Sequence, residues 1–375
     1  MMSFNTLMKT PSTWFAAPGD GGDILIGMMA RAVRNLKGHK FPGWSTDESR
    51  KAVADIILPV LRALPGNKTG FEAEMSELSY EQRRILLERK QLSHSMAARQ
   101  SGCHLLINKK QDTTFMVNEE EHLSIHFYMS GIEGPDTDKL LKRVHKTLAP
   151  IEKQLDIAHS RKDGYQTSLP AECGTGLQLY AVLQLPAMST AGMMPQIERG
   201  LEKLMLNISP FYSELGDDAG CLYVIYTSPI AKGGEQELAA HLNETVVSLI
   251  GRELQVRCKM SASDDGAISL LDKVGRAYGL LKYARRLEYA ELINALTMIR
   301  LGLVCGYIEP LTTGPAEMIT QIAGLYPVAA PYHLLHICRN PEANPNLLRP
   351  ILIHGMMELL TISSDFDTFD DTEHE

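Results

Sequence analysis

The chain has 375 residues, of which 44% are hydrophobic and 22% charged, and its formal net charge is −8 at pH 7. These values are typical of a globular protein with room for two or three domains. The acidic balance argues against a protein whose main task is to neutralise nucleic-acid phosphates, and no run of 18 apolar residues predicts a transmembrane helix.

Cysteine usage and both chain ends predict a cytoplasmic location with a free tail. Six scattered cysteines without a Cys-x-x-Cys pair indicate reduced thiols rather than a disulfide framework or a zinc site. The opening residues, MMSFNTLMKTPSTWF, lack the sustained apolar run of a secretory signal. The last eleven residues, DFDTFDDTEHE, predict an acidic disordered tail.

Helix and strand signals alternate through roughly the first 260 residues. Helical spacing or capping predicts helices over about 47–64, after Ser79, over 138–155 with a kink at Pro150, and over 235–254. Strand patterns cover 103–108, 114–117, the stretch from Leu123 onward, 177–185 and 221–228. From about residue 268 the pattern becomes mostly helical.

This order of elements predicts an α+β protein followed by helices alone. The predicted divisions are an α+β domain over 1–260, a small helical C-terminal domain over 261–362, and the acidic tail over 363–375.

Two short motifs carry candidate chemistry. In MVNEEEHLSIHF (116–127), three glutamates and His122 stand at the entrance of a strand, either as solubilising charges or as a carboxylate held at the mouth of a site. Gly174-Thr175-Gly176 either forms a tight turn into a strand or presents backbone N–H groups to an anion. His122 and His126, four apart on a predicted strand, are too distant to share a metal ion, so no metal ligands are predicted.

Five segments, taken in order, resemble the ATP:guanido phosphotransferase family, and its bacterial protein-arginine kinase branch in particular. They are IGMMARAVRNLKGHKFPG (26–43), VNEEEHL (117–123), GYQTSLPAECGTGLQLYAVLQLP (164–186), DKVGRAYGLLKYAR (272–285) and IRLGLVCGYI (299–308). The resemblance implies an antiparallel β-sheet flanked by helices that binds Mg-ATP and transfers the γ-phosphoryl to a guanidinium nitrogen. Such transfer needs a carboxylate that positions the guanidinium and arginines that hold the triphosphate.

Carried over residue by residue, the resemblance places the catalytic carboxylate at Glu120 and a second substrate-facing carboxylate at Glu214. The implied nucleotide-binding positions are Met29, Arg31, Ser124, Gly174, Thr175, Gly176, Gln178 and Ser209. Five of these are arginine positions in the family, and only Arg31 keeps the arginine. The family's reactive cysteine falls on Leu169, and its phosphoarginine-sensing motif keeps only Arg349.

Retained carboxylates beside lost arginines predict a pseudokinase that acts as a binding or regulatory protein without a cofactor. Each arginine–phosphate contact contributes about 1.5–3 kcal/mol, and a transition-state arginine accelerates transfer by about 10³–10⁵.

Two alternatives stay open. An active protein-arginine kinase would use Mg-ATP, with Lys90, Arg89 or Lys109 replacing the lost cations. An ATP-independent module would bind arginine or another guanidinium. The expected partner is a protein or an arginine-containing protein substrate, rather than nucleic acid or a membrane, and the sequence is compatible with a homodimer.

Overall fold

A computed structural model of the chain describes residues 1–9, 23–131, 134–216, 218–228 and 233–363, so the predicted tail beyond Ser363 lies outside the described residues. The strands are β1 Leu25–Arg34, β2 Phe71–Glu74, β3 His104–Ile107, β4 Thr113–Val117, β5 Leu123–Ser130, β6 His159–Ser160, β7 Gly164–Tyr165, β8 Leu177–Gln184, β9 Leu206–Pro210, β10 Leu222–Thr227, β11 Ile308–Pro310 and β12 Leu360–Ile362. The helices are α1 Phe4–Leu7, α2 Asp47–Ala63, α3 Tyr80–Glu88, α4 His94–Ala97, α5 Thr137–Gln154, α6 Pro186–Thr190, α7 Met194–Lys203, α8 Glu235–Ser261, α9 Asp264–Tyr283, α10 Tyr289–Val304, α11 Pro315–Val328, α12 Pro331–Ile337 and α13 Pro345–Met357.

Eight strands form one antiparallel sheet in the order β2-β3-β4-β5-β1-β8-β10-β9. β1 lies at the centre between β5 and β8, and most of its residues are buried on both faces. A strand covered on both sides needs apolar residues at successive positions, and LIGMMARAVR supplies them. The predicted α+β class with an antiparallel sheet and flanking helices is confirmed.

Helices α2, α5 and α8 cover one face of the sheet. Met28, Ala30 and Ala32 of β1 point into this core, as the period of two along a strand requires. The helices contribute apolar stripes at helical spacing, for example Leu141, Val144 and Leu148 of α5.

The opposite face is covered at its two sides and open between them. α1, α3 and α4 pack on β2, β3 and β4, while α9, α10, α11 and α13 pack on residues such as Tyr128 and Val182. Between these two coverings runs a half-buried polar strip that crosses β5, β1, β8 and β10. The C-terminal helices thus share a core with the sheet.

Most predicted elements are confirmed, including the helix over 47–64, the Ser79–Gln82 capping box and the strands around MVNEEEHLSIHF. Two details differ. Helix α8 extends to Ser261 rather than 254, and the C-terminal region is not helical alone, because β11 pairs with β12. The proposed domain boundary at 260 falls at the end of α8 and stays a prediction. No helix in the described part of the chain is both long and apolar enough to cross a membrane.

Candidate functional site

The run Asn118–His122 connects β4 to β5, and four of its five residues are buried. Asn118 takes a positive φ of 59°, and its side-chain N–H groups donate to the carbonyls of Arg50 and Gly102, both at 2.7 Å. His122 accepts the N–H of Leu36 at Nδ1 (3.0 Å), so its Nε2–H donates to the carbonyl of Lys40 (2.8 Å). Burial lowers the pKa of His122, which keeps the ring neutral. Both residues therefore anchor the connection.

Glu121 ties the connection to the loop that precedes β8. Its two carboxylate oxygens accept the backbone N–H of Ser168 at 2.9 and 3.0 Å, and one accepts the Ser168 hydroxyl at 2.8 Å. Asn35 donates a further hydrogen bond at 2.6 Å. Burial nevertheless raises the pKa of Glu121 above its ordinary value. The side chain is fully used in holding the backbone together.

Glu119 is a buried carboxylate on the site side of the sheet. One oxygen accepts the hydroxyls of Ser93 and Ser95, while Oε2 is buried without a hydrogen-bond partner among the described residues. Burial acts to raise its pKa, but His126, Arg31 and the two serines outweigh burial, so the pKa lies below its usual range. Burial lowers the pKa of His126 to about 4, so Glu119 is ionised and His126 neutral at pH 7.

Glu120 is the exposed member of the run, with 57% of its side chain accessible. Its carboxylate lies 3.8 Å from the guanidinium of Arg31, which also donates to Gln178 at 3.4 Å. Arg31, the arginine kept at the implied nucleotide positions, is therefore engaged by a carboxylate and an amide.

The register of the sheet places the five implied arginine positions on one face. Arg31 pairs with Gln178 of β8 and with His126 of β5, and Met29 and Ser124 lie two residues from these pairs. Ser209 of β9 pairs with Val224, which pairs with Val182 of β8, so Ser209 points to the same side. The face carries methionine, serine and glutamine where the family pattern has cations.

Aromatic side chains that sequence analysis missed share this face. Tyr180 and Tyr226 pair across β8 and β10 and stack with ring centroids 5.6 Å apart and planes 23° apart. The Tyr180 hydroxyl donates to Gln178 at 3.0 Å. Tyr180 follows Gln178 by two residues along β8, and this period of two was the sequence signal that could have placed Tyr180 on the same face.

The Gly174–Gly176 segment is a tight turn held by Arg34. The guanidinium of Arg34 donates to the carbonyls of Thr175 and Gly176, stacks 3.5 Å over Tyr165, and pairs with Glu152. A Cβ on Gly176, whose φ is +59°, would lie 2.9 Å from Arg34 and from the carbonyl of residue 33. The N–H of Gly174 donates to Tyr165. These contacts favour the tight-turn interpretation over an anion cradle.

Five implied nucleotide positions line one small cavity: Arg31, Gly174, Thr175, Gly176 and Gln178. Its volume is about 30 Å³. A water molecule needs about 10–15 Å³ of such space, so this cavity has room for about two waters and does not by itself enclose a triphosphate.

The second implied carboxylate is satisfied by a cation from another element. Glu214, 47% exposed, follows β9 and accepts Lys90 Nζ at 3.3 Å. Lys90 Nζ also lies 5.0 Å from the Phe211 ring and 4.9 Å from the Tyr212 ring. Lys90 is therefore a partner of Glu214.

The other substitute cations of the active-kinase alternative lie elsewhere. Arg89 is buried, donates to Gln91 at 2.9 Å and to Gln111 at 2.8 Å, and lines a separate cavity of about 1110 Å³ beside α3 and α12. Burial lowers the pKa of Arg89 to about 10. Lys109 is exposed in the turn between β3 and β4.

The structure also places Arg349 and Leu169, the two remaining positions implied by the resemblance. Arg349 is buried and donates to the carbonyls of Ala329 (2.9 Å) and Leu287 (3.1 Å) and to Asn346. It is thus committed to packing α13 against its neighbours. Leu169 is 57% exposed.

The five implied arginine positions offer one cation to the phosphates of Mg-ATP. That cation, Arg31, lies 3.8 Å from Glu120, and the cavity beside it is small. Among the described residues, no group of three or more histidine, cysteine, aspartate or glutamate side chains is placed to hold a metal ion.

Family models match most of the chain. The ATP:guanido phosphotransferase C-terminal catalytic domain matches residues 52–256, and the protein-arginine kinase McsB C-terminal domain matches residues 267–321. Proteins named protein-arginine kinase from Bacillus mycoides (strain KBAB4) and Bacillus cereus (strain AH820) are each 28% identical over 314 residues, which is 83% of this chain and 87% of theirs.

Solved structures share the fold. The duplicated taurocyamine kinase from Schistosoma mansoni, with bound transition-state-analogue components, superposes with a TM-score of 0.59 at 19% identity over 72% of this chain. This chain spans only 39% of that enzyme's length. Lombricine kinase gives a TM-score of 0.56 at 21% identity, over 68% of this chain and 78% of its own.

The resemblance stated from the sequence is therefore confirmed by the matched domains and the shared fold. This chain belongs to the ATP:guanido phosphotransferase family and is protein-arginine-kinase-like.

Proposed function

We propose that this chain is a pseudokinase, which binds a protein partner through the carboxylates of its sheet face and does not transfer phosphate from ATP. One observation carries the proposal. The five family arginine positions share a face on which Met29, Ser124, Gln178 and Ser209 stand, and on which Arg31 pairs with Glu120. Phosphoryl transfer depends on fixed cations around the phosphates, and these five positions hold one, Arg31.

The retained function is recognition of an arginine side chain. Glu120 is exposed at the mouth of the strip, and a carboxylate accepts a guanidinium through two parallel hydrogen bonds. Relatives named protein-arginine kinase act on arginine, so a degenerate member that keeps this carboxylate keeps the capacity to hold the residue.

Two measurements on the full chain test the proposal. Thermal unfolding with Mg-ATP up to about 1 mM, the upper range of ordinary enzyme substrates, is expected to give no saturable shift. Incubation with labelled Mg-ATP and an arginine-containing protein is expected to give no phosphoarginine, with the Bacillus mycoides kinase as positive control. Transfer that Glu120→Gln abolishes would contradict the proposal.

Active phosphotransfer is the second candidate, and the exposed Glu120 together with the names of the relatives favours it. It requires Lys90 to leave Glu214 and the two aromatic rings beside it. A saturable nucleotide shift that Lys90→Met removes, with Lys109→Met as the matched control, would support this candidate over the pseudokinase.

A further inference from the structure

The open strip of the sheet carries an excess of negative charge. Arg31 interacts with both Glu119 and Glu120, and Glu119 is ionised and leaves one buried oxygen without a hydrogen-bond partner among the described residues. A buried, ionised oxygen of this kind favours a positively charged neighbour. The negative charge of the strip thus repels a phosphate and attracts a cation.

Aromatic rings extend the preference for cations along the strip. Tyr180 and Tyr226 are both half-buried and stack on each other across β8 and β10. The face of an aromatic ring attracts cations through its quadrupole. None of the cation–π contacts formed by the described residues uses either ring.

We infer that this strip binds a protein segment with two basic side chains, one guanidinium at Glu120 and a second cation over the Tyr180–Tyr226 pair. The inference rests on the proposed function, since it takes an arginine at Glu120 as the first contact. The inference adds a second subsite, formed by tyrosines on the face that the resemblance assigns to the nucleotide. Basic residues of the partner near its arginine would therefore contribute to selectivity.

The register sets the spacing of the two cations. Gln178 lies directly opposite Arg31, and Tyr180 is two residues further along β8, with Tyr226 on the next strand. With strands about 4.8 Å apart and about 3.3 Å per residue, the backbone of Tyr180 is roughly 8 Å and that of Tyr226 roughly 12 Å from that of Arg31, the residue whose guanidinium contacts Glu120. An extended segment covers this distance in about three residues, so the expected motif is two basic residues at that separation.

Calorimetry with short peptides and the full chain tests the second subsite. The peptides carry two arginines three residues apart, the first arginine alone, the second alone, or two glutamates instead. The doubly basic peptide is expected to bind about 3- to 30-fold more tightly than either single-arginine peptide, the range of a partly desolvated cation–π contact. The acidic peptide is expected not to bind.

Substitutions of Tyr226 distinguish the affinity gained from the second arginine from a general attraction between opposite charges. Tyr226→Leu is expected to abolish the advantage of the second arginine, Tyr226→Phe to keep it, and Tyr283→Leu, which removes a distant tyrosine that is 71% exposed, to leave it intact. Circular dichroism confirms that each variant is folded. Equal affinity of single and double peptides, or no peptide binding, would overturn the inference. Phosphorylation of a bound peptide would instead overturn the proposed function.

Discussion

Glu120 and Glu121 are adjacent in the chain but lie in opposite environments. Glu120 points to solvent beside Arg31, whereas Glu121 accepts hydrogen bonds from Ser168 and Asn35 in the interior. In the proposed function, Glu120 contacts the partner, whereas Glu121 holds the backbone of the neighbouring loop in place. Their substitutions therefore have different consequences.

Glu121→Ala is expected to lower the free energy of unfolding by about 2–4 kcal/mol, because it leaves the buried donors of Asn35 and Ser168 without an acceptor. Glu120→Ala is expected to change it by less than about 0.5 kcal/mol, as for other exposed positions. Urea denaturation followed by circular dichroism measures both. Equal effects of the two substitutions would contradict the assigned environments.

At the scale of elements, the carboxylate of Glu88 joins the end of α3 to the start of α12. It accepts the backbone N–H groups of Tyr332 at 3.1 Å and His333 at 2.8 Å, and Arg84 and Arg349 are the charged side chains that act on it most. Burial raises the pKa of Glu88 to about 7, despite these contacts. The junction between the two helices is therefore sensitive to pH.

The folded-state pKa of Glu88 lies above its unfolded value, so the folded chain binds the extra proton. The associated stability is complete below about pH 4.5 and is lost as pH rises through about 7. Glu88→Gln, which cannot ionise, is expected to gain roughly 1–3 kcal/mol relative to the natural chain between pH 5 and pH 8. Urea denaturation at both pH values measures this gain, with the exposed Glu81→Gln as control. A pH-independent difference would contradict the linkage.

Local chemistry explains why many elements were predictable. Helix α2 begins after Thr46, whose hydroxyl accepts the N–H of Ser49, and it ends just before Pro65-Gly66. Residues next to the helix in the sequence therefore determine both of its boundaries. Helix α8 continues beyond 254 because no glycine or proline interrupts it before Ser261. The pair β11 and β12 was missed because three-residue strands some fifty positions apart leave no periodic signal.

The candidate site was predictable only in part, for a related reason. Glu120 and the positions around Gln178 follow from motifs that are continuous in the chain. The pairing of Lys90 with Glu214 joins residues 124 positions apart, and the burial of Glu119 depends on serines from α4 and the turn before it. Contacts of this kind are set by tertiary packing, which the order of residues along one strand does not encode.

At the scale of the whole molecule, the family fold is retained, and in the proposed pseudokinase other residues stand at the implied phosphate-binding arginine positions. Restoring arginine at Met29, Gln178 and Ser209, which are all at least partly accessible, tests whether the face remains a nucleotide site. Affinity for Mg-ADP is expected to rise by about tenfold or more for each restored arginine. Ser124 is excluded because it is fully buried.

The matched control for this triple variant is Met29→Gln with Ser209→Gln, which places polar side chains without charge at these positions and keeps Gln178. Calorimetric titration with Mg-ADP compares the two proteins. Equal affinity of the two proteins for Mg-ADP would show that restoring the arginine charges is not enough to make this face a nucleotide site.

The central position of β1 has a consequence for synthesis of the chain. Among the described strands of the sheet, β1 is the first to be synthesised, but both of its sheet neighbours come later, and β8 ends at residue 184, 150 residues after Arg34. At ordinary elongation rates, β1 waits about 8–30 s before it can pair on both sides. During that interval its apolar residues and unpaired backbone groups are open to other chains. Of the described strands of the sheet, the central strand is thus the one that nascent-chain chaperones have the longest time to bind.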